Sequence, residues 1–578
     1  MLLKKLRSSK QFVTGSEPIR SALEFCAIFS LYSALTVIFF WRLVPFLDNS
    51  LIGPAEDNMM DFWNTWYTAV SDRGDNFFYT NLIKFPEGTS LFYHAFAYPK
   101  IFAIWLITRI VEANTSTLIL LQNLSIMLSF PLAGVGTFYL VKHFVSDHRG
   151  AVLGGIIYAF NPSHIAYAQH QSSISSIEFL PFFVLSYLLA LGKRDVCRLA
   201  LAICFYCLSA LSSWYYFFYV GYFIVFQTGY SLYSKAQVPR AWTLCLPLLT
   251  VTAAMVGLSP LLLPMIGEAL AGANVYADKI PDRMANVADV VAYFTFPPTH
   301  FLSAFTDGLN SCFTGTRWGS TVYLGLLNLA LVAWALFCKS KKGPRLLAHQ
   351  RRLLLYVFSG MVVFSVLASG PSLHVLGYST IPMPDRWLDQ IPFFRNVRTS
   401  SRAIVFVYLF LAIGVGQVYV LLSRQGNMTR GRSLVAMGVA VFIVLDFYPA
   451  HLSVTALSCS PGFSIIANNA EQNFGVLNLP RGYLSGNASM MQQVCHGRPI
   501  VGGNISREVT QSLLNRLETA DLRSQRQQLV ANRVKYITIN LPKDGLFEWQ
   551  PEDGLLRNYL VFYPILYEDG DIVILQVY

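Results

Sequence analysis

Apolar runs of the length that a bilayer-crossing helix takes, about 17–25 residues, recur along most of this chain. They predict about eleven spans, over 21–46, 117–141, 150–169, 177–192, 198–212, 214–230, 241–266, 319–338, 353–369, 403–422 and 433–449. A further stretch, 95–111, is short and broken by Pro99, Lys100 and Arg109. Whether it crosses decides the orientation of everything after it. With 95–111 laid along the outer surface as a juxtamembrane helix, the basic turns fall on one side. They are Lys4, Lys5, Arg7 and Lys10, then Lys142 and Arg149, Lys193, Arg194 and Arg198, and Lys235 and Arg240. Lys339, Lys341, Lys342, Arg345, Arg351 and Arg352 follow, and finally Arg424, Arg430 and Arg432. Cytoplasmic loops carry such an excess of Lys and Arg, so the N-terminus is expected inside and the C-terminus outside. The longer, less basic loops 47–116, 267–318 and 370–402 then face outward.

After residue 449 the pattern changes. The apolar runs shorten and alternate, as in FGVLNLP (474–480), VKYITIN (534–540) and DIVILQVY (571–578). EDGD at 568–571 stands between two such runs, as a hairpin turn would. The polar stretch 505–533 has neither Pro nor Gly and reads as helical. The expected fold class is mainly α: a polytopic transmembrane helical bundle over 1–449, then a soluble extracytoplasmic α+β domain over 450–578.

Composition agrees with a membrane protein. Of 578 residues, 54% are hydrophobic and 13% charged, against about 25% charged in a soluble domain. The net charge of +11 is spread over the turns between apolar runs, so it points to membrane lipids and not to a nucleic acid. The nine cysteines include a single C-x-x-C spacing, Cys204 and Cys207, and it falls in an apolar run, so neither a zinc site nor a disulfide framework is expected. Segment 21–46 is too long for a signal-peptide core and lacks a small-residue cleavage site, so it reads as a retained first span. No P-loop, G-x-S-x-G or H-E-x-x-H motif is present to carry ATP hydrolysis, a hydrolase elbow or zincin chemistry.

Acidic residues are nearly absent from the middles of the predicted spans. Glu178, Glu268 and Asp446 fall at outer ends, and Glu24 lies near an inner end. Coupled transporters place such groups, or broken helices, at the midplane; here they gather at the outer interface, where a site can be reached from water and from lipid. The first outer loop is the richest place. Glu56, Asp57 and Asp61 follow span one, with Trp63, Trp66 and Tyr67 close behind and His94 later. Helical spacing sets Asp57, Asp61 and, less closely, Asn64 on one face, and the aromatics suit an interfacial belt. Asp57 is a candidate base for a hydroxyl proton; the plainer account is a solvated acidic loop beside a Trp-rich anchor. Glu178 lies in the next short outer turn with His164 and His170 nearby, and two acids could share a metal or divide base and positioning roles. A span-end carboxylate and hydrogen-bonded structural histidines are the plainer account. Arg395, Arg398 and Arg402 crowd the outer side before 403–422, where arginine can grip phosphate oxygens with two N–H groups or simply anchor to headgroups.

The order of these pieces resembles the GT-C superfamily of membrane glycosyltransferases, which use lipid-linked sugar donors. It is closer still to large bacterial membrane proteins of this type. The matching motifs are Asp57, Trp63, Asn64, Trp66 and Tyr67; then Phe78 to Leu82, Phe85, Pro86, Gly88, Leu91 and His94; then Arg398 with Arg402 or Arg395; and VGGNISRE at 501–508. The resemblance implies a bacterial plasma-membrane glycosyltransferase acting outside the cytoplasm. Asp57 would be the base and Glu178 a second acidic participant. Glu56, Asp61, Trp63, Trp66, His94 and His170 would line the substrate site, and Arg395, Arg398 and Arg402 would meet the donor phosphate. Partners would be a polyprenyl-phosphate-linked sugar and an acceptor of unknown class. Oligosaccharyltransferases hold a divalent metal with a D-x-D type pair in the second outer loop; this loop offers only Glu178, which disfavours a metal, and no other cofactor is implied. A WWD-like segment for peptide acceptors is also missing. The alternatives are a non-catalytic protein that binds or translocates lipid-linked saccharides, and an envelope assembly scaffold.

Overall fold

The computed structural model describes residues 17–71, 76–234, 238–272, 280–315, 321–337, 348–388, 390–391, 394, 397–423, 429–457, 459–507, 511–518, 520–541 and 553–578. The chain is mainly helical and is an integral membrane protein. Among the described residues, five segments are long and apolar enough to cross a membrane: Ile19–Phe46, Thr115–Val145, Arg240–Leu270, Ala348–Ala368 and Ser400–Ser423. Shorter apolar helices occupy Phe179–Lys193, Val196–Ser212, Leu326–Ala335 and Leu434–Phe447, and Trp214–Tyr233 is an aromatic helix. Within 95–111 the helix is Tyr98–Ile107. Its ten residues reach about 15 Å at about 1.5 Å each, half the hydrocarbon thickness.

The helix Ile404–Ser423 is buried along its length. It packs on Thr115–Val145, His148–Ala159 and Ala348–Ala368. Glycine permits one of these contacts: a Cβ on Gly150 would stand 2.8 Å from the Gly416 carbonyl oxygen, and one on Gly416 would stand 2.9 Å from that of Gly150. Between helices in lipid, such close van der Waals approach replaces the hydrophobic driving force.

The predicted span 150–169 is in fact two helices, His148–Ala159 and Pro162–His170. Asn161 makes the break: its side chain accepts the His164 N–H at 2.8 Å and donates to the Tyr158 carbonyl at 2.6 Å. Pro162 opens the second helix, where a missing N–H leaves no bond unmade. Hydropathy does not register this break because the flanking residues stay apolar.

In the tail, four strands form one sheet in the order Gly475–Leu479, Val534–Asn540, Ile572–Gln576, Ile565–Glu568. The first pair is parallel and the other two are antiparallel. The stretch 505–533 is not one helix. Among its described residues, Leu513–Arg516 and Leu522–Ala531 are helical, and the Asp521 carboxylate caps the second by accepting the Arg523 and Ser524 N–H groups. One disulfide, Cys459–Cys495, ties the start of the tail to the helix Tyr483–His496, with Cα atoms 5.6 Å apart. This corrects the expectation of no disulfide; partners 36 positions apart form no local motif.

Tail and first long loop share a core. Met59, Phe62, Trp63 and Trp66 pack with Phe463, Phe474, Met490 and Ile500. Strand Ser50–Ile52 pairs antiparallel with Val454–Ala456. Lys84 N–H donates to the Gly502 carbonyl at 2.9 Å, and Ile500 N–H to that of Leu82 at 2.8 Å.

Candidate active site

The first long loop meets the rest of the site through the helix Asp57–Val70. Asp57, Asp61 and Asn64 stand at i, i+4 and i+7 and are all buried. Asp57 heads the helix, where free N–H groups and the macrodipole favour negative charge. Gln171 Nε2 donates to its Oδ2. The Tyr483 hydroxyl donates to its Oδ1 at 2.6 Å, and Asn487 Nδ2 reaches the same oxygen at 3.4 Å. A carboxylate offers about four lone-pair directions, so these three donors leave room for one more.

Three successive residues at and just after the end of the helix Pro162–His170 each hold an acid of the first long loop. His170 Nδ1 meets Glu56 Oε2 at 3.0 Å, Gln171 holds Asp57, and the Ser172 N–H and hydroxyl both donate to Asp61 Oδ2 at 2.8 Å. Burial pushes the Asp61 carboxyl up to about 6, and the neighbouring Asp57 charge adds to this; the Ser172 donors and Lys100 pull the other way. Lys100 is buried beneath the same segment, donating to the Ser172 carbonyl at 2.8 Å and to Ser175 Oγ at 3.2 Å. Burial lowers its ammonium from the usual lysine range, while Glu178 and Asp61 support the charge. Glu178 is buried, and its Oε2 has no hydrogen-bond partner among the described residues. Its charge and that of Lys100 act on one another, and among the described residues it is not one of the groups that hold Asp57.

The arginines approach from the other side. Arg402 is buried, its guanidinium 4.2 Å from the Tyr215 ring centroid and 5.4 Å from that of Tyr167. One Nη donates to Gln171 Oε1, so a single glutamine joins Arg402 to Asp57. The charges of Arg402, Arg398 and Arg507 all act on the Tyr215 hydroxyl, and that of Arg398 also acts on Tyr483. Arg395 lies outside the described residues.

Other predicted site residues are core. Trp63 is fully buried, stacked on Tyr67, with its indole N–H on Gln493 Oε1 at 2.7 Å. Trp66 is buried beside it, so this pair faces the tail and not a membrane interface. His94 Nε2 lies 2.7 Å from Asn64 Oδ1, and its Nδ1 accepts the Ser506 N–H at 3.3 Å. Burial holds the His94 imidazole down to about 3. His164, also buried, contacts Ser129 Oγ and the Ala159 carbonyl at 3.0 and 2.6 Å. Residues the sequence reading did not assign are Gln171, Tyr483, Asn487, Lys100 and Arg507. Lys100 left a signal, a cation inside an apolar stretch, and Arg507 lies in the 501–508 motif; Gln171, Tyr483 and Asn487 left none.

No family model matches the sequence, and no curated protein is similar to it. In fold, the chain is similar to the archaeal oligosaccharyltransferase AglB from Archaeoglobus fulgidus in complex with an inhibitory peptide and a dolichol-phosphate. That likeness has a TM-score of 0.50 and 10% identity, covering 90% of this chain and 70% of that one. It is also similar to a mutant of the arabinofuranosyltransferase AftD from Mycobacteria, with a TM-score of 0.52 and 12% identity. Here 95% of this chain is covered but only 41% of that one, so the chain spans less than half of the mycobacterial enzyme. These likenesses are of fold alone, and it is a fold shared with glycosyltransferases of the GT-C kind that the sequence motifs resemble.

Proposed function

We propose that this protein is a membrane glycosyltransferase that moves a sugar from a polyprenyl-phosphate-linked donor to an acceptor hydroxyl on the outer face. The observation that carries the reading is the contact chain Tyr483–Asp57–Gln171–Arg402, which sets a buried carboxylate and a buried arginine at the two ends of one glutamine. In the reaction the acceptor O–H bond breaks and its proton passes to Asp57. The acceptor oxygen bonds the anomeric carbon, and the bond from that carbon to the phosphate oxygen breaks. The electron pair leaves on the phosphate, where Arg402, Arg398 and Arg507 stabilise the growing charge. Glu178, charge-balanced by Lys100, keeps the second outer segment in place and orients the substrates through it.

The fold supports this reading, since the archaeal enzyme of like architecture was solved with a dolichol-phosphate. The tail disulfide supports an extracytoplasmic tail, because disulfides persist in oxidising compartments. About eleven spans with the N-terminus inside, in a bacterial plasma membrane, complete the proposal. The test is transfer from radiolabelled polyprenyl-phosphate sugars to a panel of acceptors by purified protein in lipid nanodiscs. Product formed by the native chain and lost in Asp57→Asn supports the enzyme. Tight donor binding without product, together with label crossing the bilayer in vesicles, would point to translocation instead.

A further inference from the structure

Asp57 is 7% exposed, yet Tyr483, whose hydroxyl rests on it, is 58% exposed. The two residues are 426 positions apart, one heading the first loop's helix and the other heading the tail helix Tyr483–His496. That tail helix is fixed from several sides. The disulfide holds Cys495, Gln493 receives the Trp63 indole N–H, and Asn504 Nδ2 donates to both Asn487 Oδ1, at 2.9 Å, and the Tyr483 carbonyl. Tyr483 is therefore no loose surface phenol. Its position is set by the tail and its hydrogen bond is spent on a buried acid.

We infer that the tail supplies half of the cradle that holds the catalytic carboxylate, with Tyr483 as the positioning residue on Oδ1 opposite Gln171 on Oδ2. The inference rests on Asp57 being the base. Donors on both oxygens stop the carboxylate from rotating and aim its remaining lone pair in one direction, as a base must be aimed at the proton it removes. Desolvation of the hydroxyl end of this otherwise exposed side chain, and the adjacent carboxylate, keep the phenol above its ordinary range, so it remains a donor. The tail is then part of the active site.

A double-mutant cycle on transfer rate tests this, using the native chain, Tyr483→Phe, Asp57→Asn and the double variant, with thermal stability and donor affinity measured on each. Losing a hydrogen bond to a charged group should lower kcat of Tyr483→Phe by about 10- to 100-fold, with donor affinity unchanged. In the Asp57→Asn background the same change should cause no further loss, because there is no base left to aim. A native rate in Tyr483→Phe overturns the inference, as does an equal fold-loss in both backgrounds, which marks a structural role. If Tyr483→Phe lowers stability, Asn487→Ala removes the weaker donor to the same oxygen and must show the same non-additivity. A fully active Asp57→Asn instead overturns the base reading itself.

Discussion

Glu56 and Asp57 are adjacent, but Glu56 is the non-helical residue before the helix that Asp57 begins, and their surroundings differ in kind. Glu56 is a partly exposed partner of His170, whereas Asp57 is buried under three donors. Asp57→Asn is expected to cut turnover by about 10²–10⁴-fold, the usual effect of losing a positioned base, and Glu56→Gln far less; initial rates on the two variants check this. Arg402→Ala should weaken donor binding by about 1.5–3 kcal/mol, the worth of a hydrogen bond to a charged group. Lys at that position should restore only part, since it offers neither a planar fork nor a stacking face for Tyr215. Equal donor affinity in the native, Ala and Lys proteins, by titration calorimetry, would leave Arg402 a structural role only. The acids and the arginine were legible in the sequence because charge beside an apolar run is conspicuous. Gln171, Tyr483 and Asn487 were not, since a neutral amide or phenol marks a site only when folding brings it to a carboxylate.

Elements were legible where one physical rule dominates and illegible where two compete. The strands Val534–Asn540 and Ile572–Gln576 and the turn between Glu568 and Ile572 follow from alternation and turn chemistry alone. The break at Asn161–Pro162 sets capping against hydropathy, and capping wins. The segment around His94 is held differently, by burial of a titratable ring between Asn64 and Ser506. With the ring at about 3 in the folded protein and about 6.5 in an unfolded chain, protonation favours the unfolded state. This contribution to stability is present above about pH 6.5 and is lost as pH falls toward 3, by up to about 1.4 kcal/mol per pH unit. Asp61, raised to about 6, acts with the opposite sign, its contribution fading as pH rises from about 3.8 to about 6. The two overlap, so the informative quantity is the difference between native protein and His94→Gln. Thermal midpoints from pH 7 to pH 5 should fall more steeply in the native protein than in the variant. Parallel curves would remove His94 from the account.

For the whole molecule, the contacts across the outer face constrain the path of the chain through the membrane. Groups that touch outside must be separated by an even number of crossings. Two predicted spans lie between Asp57 and Gln171, six between Gln171 and Arg402, and two between Arg402 and Tyr483, and each of these pairs is in contact or linked through Gln171 and Asp57. The ten crossings that result also suit the pairing of Ser50–Ile52 with Val454–Ala456. A crossing by 95–111 would make the first interval odd and pull Asp57 and Gln171 to opposite sides. The proposed topology, in which 95–111 does not cross, fits both this parity and the basic turns. The boundary drawn at 449/450 is, by contrast, a boundary in sequence pattern and not in packing, because first loop and tail share a core that no local pattern announces. Reporters should accordingly read outside after Tyr578 and inside near Ser423, and a cysteine placed at Glu112 should be labelled by an impermeant reagent from outside. Labelling of Glu112 only after permeabilisation would mean that 95–111 crosses, and the shared outer site could not then form.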